Sequence, residues 1–181
     1  MIYQFLADGF EEMEAMVPYD YLKRAGVEIA LVGVTGKVVT GSHGVPMTCE
    51  LTVQEMELDH LEGILLPGGM PGTNNLYASE DVRRVITLDV EQKLLIGAIC
   101  AAPSILGRMG ILRRKHATCF PGFENFLLDA IVTQRPVTVD GNLITAKGAG
   151  VSLEYAYELT KYLKGQKKAH EIAEQIQWKQ A

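Results

Sequence analysis

The chain has 181 residues, 48% of them hydrophobic and 22% charged, and a formal net charge of -5. That composition excludes the disordered class, and the acidic balance excludes a general phosphate-backbone binder, which needs a basic face to release counterions. Cys49, Cys100 and Cys119 are an odd number at unrelated spacings, which fits neither a disulfide framework nor a C-x-x-C metal or redox pair, so a reducing cytoplasm is expected.

Taken in chain order, the opening "MIYQFLADGFEE" has no basic segment before its apolar run and is not expected to be a signal peptide. Residues 2–7 (IYQFLA) instead read as a first strand. The loop "ADGFEEMEAMVP" follows, with Glu11, Glu12 and Glu14 where a helix begins; acids suit that place through the helix dipole alone. Pro18 and the apolar Met13, Met16 and Val17 suggest that one of these carboxyls points inward, where burial would keep it protonated. Residues 27–34 read as a second strand, and 36–53 as a small β-hairpin inserted after it. A third strand covers 63–67 and runs into "PGGMPGTNN". Residues 79–91 carry Ser79 as N-cap, acids Glu80 and Asp81 in the first turn, and Val82, Val85 and Ile86 on one face, which predicts a helix. A fourth strand covers 94–100 and a fifth 142–148. Helical spacing returns over 151–164, ending at Gly165, and again in the tail through Ala169, Ile172, Ala173 and Ile176.

Strands alternating with helices imply right-handed crossovers and a mostly parallel sheet between helical layers. Several strands lack in-out alternation, as strands covered on both faces do. The expectation is one α/β doubly wound domain over residues 1–181, with no repeat or linker and no run of apolar residues long enough to span a membrane. Sites in such sheets gather at the carboxyl ends of strands. Three loops therefore matter: those after the first, third and fourth strands.

In the last of these, "LLIGAICAAPSILGRMG" passes from buried strand to helix at Cys100, with small residues Ala101 and Ala102 and then Pro103, a residue suited to a first helical turn. This is the shape of a nucleophile elbow. A helix N-terminus favours an anion and predicts a lowered thiol pKa, although a free cysteine is also one of the most often buried and inert residues. The glycines of "PGGMPG" can turn backbone N–H groups outward as anion or oxyanion donors; the spacing matches neither G-x-G-x-x-G nor a phosphate loop.

The stretches "ADGFEEMEAMVPYDYLKRAG", "LLPGGMPGTNNL" and "IGAICAAPSILGRMGIL" resemble the ThiJ/PfpI superfamily, especially its DJ-one/YajL-like branch, in family order over nearly the whole chain. The resemblance implies a flavodoxin-like fold related to class I glutamine amidotransferase domains, and a homodimer. It implies Cys100 as the elbow nucleophile, Glu14 as the protonated acid hydrogen-bonded to it, and the backbone N–H groups of Gly69 and Ala101, with Gly68 beside them, as oxyanion and substrate contacts. Arg24 matches the family's arginine in "RAG". In "GSHG", His43 stands where the branch commonly has an arginine reaching the partner's site. Ala101 replaces the histidine that follows the nucleophile in the peptidase branch, and Phe120 stands where the branch carries a histidine near the thiol; His43 and His116 are possible substitutes. A cysteine peptidase is thus the less favoured implication. A glyoxalase III or protein deglycase acting on methylglyoxal, glyoxal or glycated protein is the favoured one, with neither glutathione, metal nor other cofactor required. The same thiol and acid would equally suit a redox-sensing chaperone acting through Cys100 oxidation. No nucleic-acid or membrane partner is expected.

Overall fold

In the computed structural model, which describes residues 1–179, seven strands form one sheet. β1 (Ile2–Leu6) leads into α1 (Glu12–Arg24), then β2 (Ile29–Gly33), the hairpin strands β3 (Val38–Thr40) and β4 (Pro46–Thr48), and the short β5 (Leu51–Thr52). β6 (Gly63–Leu66), α2 (Gly72–Ala78), α3 (Glu80–Gln92), β7 (Leu95–Ile99) and α4 (Pro103–Arg108) follow. The last part holds β8 (His116–Ala117), β9 (Ile131–Val132), β10 (Val137–Asp140), β11 (Leu143–Ala146), α5 (Ser152–Lys164) and α6 (Gln166–Gln175).

The order across the sheet is β10-β11-β7-β6-β1-β2-β5, and every pairing is parallel except the edge pair β10–β11. All residues of β1, β2, β6, β7 and β11 are buried, because helices cover both faces; this is why those strands read as continuous apolar runs. One face packs Phe5, Ile64, Leu66, Ile96 and Ala98 against α3 and α4. The other packs Ile2, Leu65, Leu95 and Ile99 against α1, α5 and α6. This is the doubly wound α/β arrangement expected from the pattern, and the flavodoxin-like fold that the resemblance implies.

The five expected strands and the helices at 79–91 and 151–164 are present within two residues of their sequence-based bounds. Ser79 does cap α3, accepting from the Val82 N–H at 3.3 Å. The tail helix ends at Gln175, one residue short of Ile176. The expected hairpin forms as β3 and β4, but Leu51 and Thr52, assigned to the same insertion, instead join the main sheet beside β2. α2 and the antiparallel edge strand β10 were not anticipated. Chain order reverses between β1 and β6, the switch point at which an open α/β sheet leaves a crevice at its carboxyl edge.

Candidate active site

Four loops meet at that edge, and backbone hydrogen bonds tie them together. Glu11 N–H donates to Gly68 O at 3.0 Å, joining the loop after β1 to the loop after β6. Cys100 N–H donates to Ala146 O and Phe120 N–H to Cys100 O, each at 2.9 Å, joining the turn after β7 to β11 and to the segment after β8. Cys100 itself has φ +64°, a left-handed conformation uncommon outside glycine. Such backbone costs of order 1–3 kcal/mol and is held by its surroundings. It points the side chain off the end of the sheet, as the expected elbow requires, and the thiol is partly exposed.

Glu14 is the acid that turns inward: its residue is 2% exposed in the first turn of α1. Glu11, as N-cap, accepts from the Glu14 N–H at 2.7 Å and fixes that turn. Pro18, four residues on, has no N–H for the Glu14 carbonyl. The Glu14 carboxylate accepts from the Gly68 N–H at 2.9 Å and from the Ala149 N–H, and is hydrogen-bonded to the Cys100 thiol. A side chain at Gly68 could not fit, since a Cβ there would stand 2.6 Å from both the Cys100 Cβ and Glu14 Oε2. Gly68 therefore holds the acid against the thiol. The N–H groups of Gly69 and Ala101 both point at the Cys100 sulfur, so the two expected donors do converge on the reacting atom. Gly69 has φ +88°, and a Cβ there would lie 2.5 Å from Glu11 N and Gly9 O.

The electrostatics correct one expectation. Burial pushes the Glu14 carboxyl up to about 7, against the pull of its hydrogen bonds to Cys100, Gly68 and Ala149. The thiol is not lowered by the helix that follows it. Burial, the Glu14 charge and the Glu14 hydrogen bond push it up to about 12, against the Gly69 and Ala101 N–H groups. α4 is only six residues long, so its dipole is outweighed. Burial pushes both groups toward their protonated forms, and a charge on either one opposes a charge on the other.

Other expected residues sit elsewhere. Arg24 lies at the far end of α1, ten residues and ~15 Å along the helix axis from Glu14, in an exposed ion pair with Asp20 at 2.7 Å. Its own chain does not bring it to the thiol. His43 is exposed on the β3–β4 loop, with Nδ1 2.7 Å from Glu12 Oε2. Burial would raise the Glu12 carboxyl, but hydrogen bonds from His43 and Ser42 overcome it and hold Glu12 near 2, while Glu12 raises His43. His43 thus anchors the hairpin to the start of α1. His116 bonds Asp140 at 3.2 Å. Asp140 is paired with Leu143, itself level with Ile96, which puts this histidine four residues down β7, about 13 Å from the Cys100 end. Neither can serve as base for the thiol in this geometry. Phe120, 47% exposed, lies beside Gly148, whose Cβ position is 3.2 Å from the ring and 3.8 Å from Glu14 Oε1, so Phe120 forms the rim.

Ala149 and Gly148 were missed from sequence, although "KGAG" follows a strand of the same sheet and falls under the same edge rule. A surface cavity of about 470 Å³ lies away from this site and shares no lining residue with it; Arg135, Val137, Tyr157 and Trp178 help to line it.

The DJ-1/PfpI family model matches residues 1–162. The chain belongs to this family. "Protein dj-1beta" of Drosophila melanogaster is 33% identical over 171 residues, covering 93% of this chain and 91% of that one. "Deglycase PfpI" of Pyrococcus furiosus is 31% identical over 163 residues, covering 87% of this chain and 96% of its own length. The crystal structure of the Drosophila dj-1beta protein superposes with a TM-score of 0.93 at 31% identity, covering 99% of this chain and 98% of that one. An oxidised Toxoplasma gondii DJ-1 does so with 0.95 at 28% identity, with 99% and 98% covered. No helix among the described residues is long and apolar enough to cross a membrane.

Proposed function

We propose that this DJ-1/PfpI family member is a cysteine-dependent enzyme of the glyoxalase III and deglycase type, acting on methylglyoxal, glyoxal or their protein adducts. The observation that carries the reading is the thiol–carboxylate contact at Cys100 and Glu14, with two backbone donors aimed at the same sulfur. Relatives named deglycase at 31% identity support the class of reaction.

With methylglyoxal, the Cys100 sulfur attacks the aldehyde carbon while Glu14 takes the thiol proton. The new alkoxide lies toward the Gly69 and Ala101 N–H groups and is protonated to a hemithioacetal. Removing the proton from the former aldehyde carbon gives an enediol, and reprotonation at the neighbouring carbon gives a thioester. Water then splits the thioester to lactate and returns the thiol. Each proton passes through one carboxyl whose pKa near 7 suits it both as base and as acid. A Cys-His peptidase mechanism is not favoured, since His43 and His116 are exposed and bonded to Glu12 and Asp140. The test is purified protein with methylglyoxal and no glutathione: lactate should form, and Cys100→Ser should abolish it. Buffer-level lactate from the wild-type protein would end the proposal.

A second reading, a peroxide sensor or chaperone, is favoured by the partial exposure of Cys100 against two buried cysteines and by an oxidised form of the Toxoplasma relative. Mild peroxide should then add two oxygens at Cys100 ahead of Cys49 and Cys119. Equal oxidation of all three in intact-mass and peptide analysis would sink it.

A further inference from the structure

The sheet ends on one side at β10, whose outer edge is unpaired. Lys147 N–H donates to Pro136 O at 3.0 Å, and the antiparallel register runs from Val137 level with Ala146 to Asp140 level with Leu143. Bonding in such a pair alternates, so Thr138 and Asp140 turn their N–H and C=O groups toward β11 while Val137 and Val139 turn theirs outward. Among the described residues nothing bonds those outward groups. Edges are commonly blunted by lysine, by proline or by shortness. The opposite edge, β5, is only two residues long, whereas β10 has four residues, neither lysine nor proline among them, and its one charge, Asp140, is turned to His116.

Side chains alternate along β10 with the same period. Thr138 and Asp140 bond Thr133 and His116 on one face of the sheet. Val137 and the exposed Val139 stand on the other face and line the cavity of about 470 Å³ together with Glu154, Tyr157, Glu158 and Trp178. The Tyr157 and Trp178 rings meet edge to face, with centroids 5.9 Å apart at 65°. Glu154 and Glu158 lie one turn apart on α5; Lys161 shares Glu158 at 3.1 Å, while Glu154 has no ion-pair partner among the described residues. Arg135 lines the cavity from ahead of the strand. Unpaired backbone along an edge, next to a pocket on the face of the same residues, is the arrangement by which a sheet takes up an extended peptide.

We propose that the outer edge of β10 docks an extended segment of a partner polypeptide, which pairs antiparallel through Val137 and Val139 and places a lysine or arginine side chain in the adjoining cavity. In that pairing the residues bonded to Val137 and Val139 share their face, so the main-chain bonds and the pocket act on the same residues of the segment. The aliphatic stem of the basic side chain lies along Trp178 and Tyr157, and its cationic head is drawn to Glu154. Aromatic faces and an unpaired carboxylate favour a cation, in a chain whose net charge is -5. The inference does not depend on the chemistry at Cys100, since β10 is two strands from β7, about 10 Å across the sheet.

The test titrates full-length protein into a fluorescein-labelled peptide of alternating threonine and valine with one central lysine, read by anisotropy. Trp178 is the chain's one tryptophan, so its emission, followed with the unlabelled peptide, reports whether the cavity is the place of binding. Anisotropy should rise to saturation and the emission should change with it. Glutamate in place of the lysine, or methylation of the amide nitrogens of the lysine and of the residues two places to either side, should weaken binding about tenfold or more. Glu154→Gln should weaken it and Arg135→Gln strengthen it, each by about two- to fivefold. Val139→Pro removes an outward N–H, leaves the bonds to β11 in place and should abolish binding; if that variant does not fold, Trp178→Ala, beyond the end of α6, carries the test and should weaken binding about tenfold. Absence of saturable binding, or equal binding of the glutamate or methylated peptide, would overturn the inference. Sedimentation showing a wild-type oligomer that Val139→Pro dissociates would also overturn it, because a second copy would already close the edge.

Discussion

Glu14 and Asp89 are carboxyls on opposite faces of the same sheet, and the contrast between them separates a usable acid from a costly one. Asp89 occupies the fourth place of the stripe Val82, Val85, Ile86 and Asp89 by which α3 packs on the sheet, and it is fully buried. Among the described residues neither of its carboxyl oxygens has a hydrogen-bond partner, and burial alone pushes it up to about 8. Glu14 reaches about 7 by the same burial, but it accepts from Gly68 and Ala149 and is hydrogen-bonded to a thiol at the edge of solvent. Burial sets the proton affinity in both places. Only where backbone donors accept the ionised form, and a reacting group stands alongside, can the proton be moved on demand.

The largest effects should come from breaking the usable site. Cys100→Ser should lower lactate formation from methylglyoxal by at least ~10³-fold, and Glu14→Gln by about 10²–10⁴-fold, the range for a lost proton-transfer group; initial rates at saturating substrate measure both. Gly68→Ala comes next, because its methyl would collide with Cys100 and Glu14 at once. Such overpacking costs about 1–3 kcal/mol, and turnover should fall about tenfold or more even in the fraction that stays folded, measured against active thiol content. Wild-type turnover should also decline as pH drops through about 7, where Glu14 becomes protonated and can no longer accept the thiol proton; a rate flat from pH 5.5 to 8.5 would contradict this.

Asp89 supplies the converse test, on stability. Its folded-state pKa of about 8 lies above the ordinary 3.8, so its contribution to stability is full below pH 4 and is lost as pH rises to about 8. Asp89→Asn cannot ionise and should escape that fall. Its unfolding midpoint relative to wild type should improve by ~5 °C or more between pH 4.5 and pH 9, with methylglyoxal turnover unchanged at pH 7. A constant offset across pH would show that Asp89 ionises as freely in the folded chain as in the unfolded one. His116→Ala should be the smallest perturbation, with turnover within about twofold of wild type, since its ring serves Asp140 at the other end of β7.

The central strands were readable because burial on both faces demands unbroken apolar runs, and α3 and α5 because their stripes and ends carry ordinary signals. The short β8 and β9 and the edge strand β10, with its exposed Val139, have no such demand on their sequence. The site was legible where chain direction fixed chemistry: a thiol at a strand-to-helix turn, an acid one turn into α1, glycines after β6. The sign of the thiol shift was not, because it depends on how deeply Cys100 sits and on the charge of a residue far off in the chain. The buried polarity at Gln4 and Tyr155 was hidden for a related reason. Gln4 in a buried strand and Tyr155 on an apolar stripe look like isolated exceptions until Gly97 opens the space in which a tyrosine hydroxyl can lie.

The active constellation is assembled from turns that leave the ribosome far apart, with Ala149 the last to emerge. Before α5 docks, Glu14 lacks one donor and its inner wall, and Cys100 has no reason to adopt its left-handed backbone. A nascent or partly unfolded copy therefore carries an unremarkable cysteine in water, and the distinctive behaviour of that sulfur becomes a clock for completion of the sheet, readable with a small electrophile during refolding.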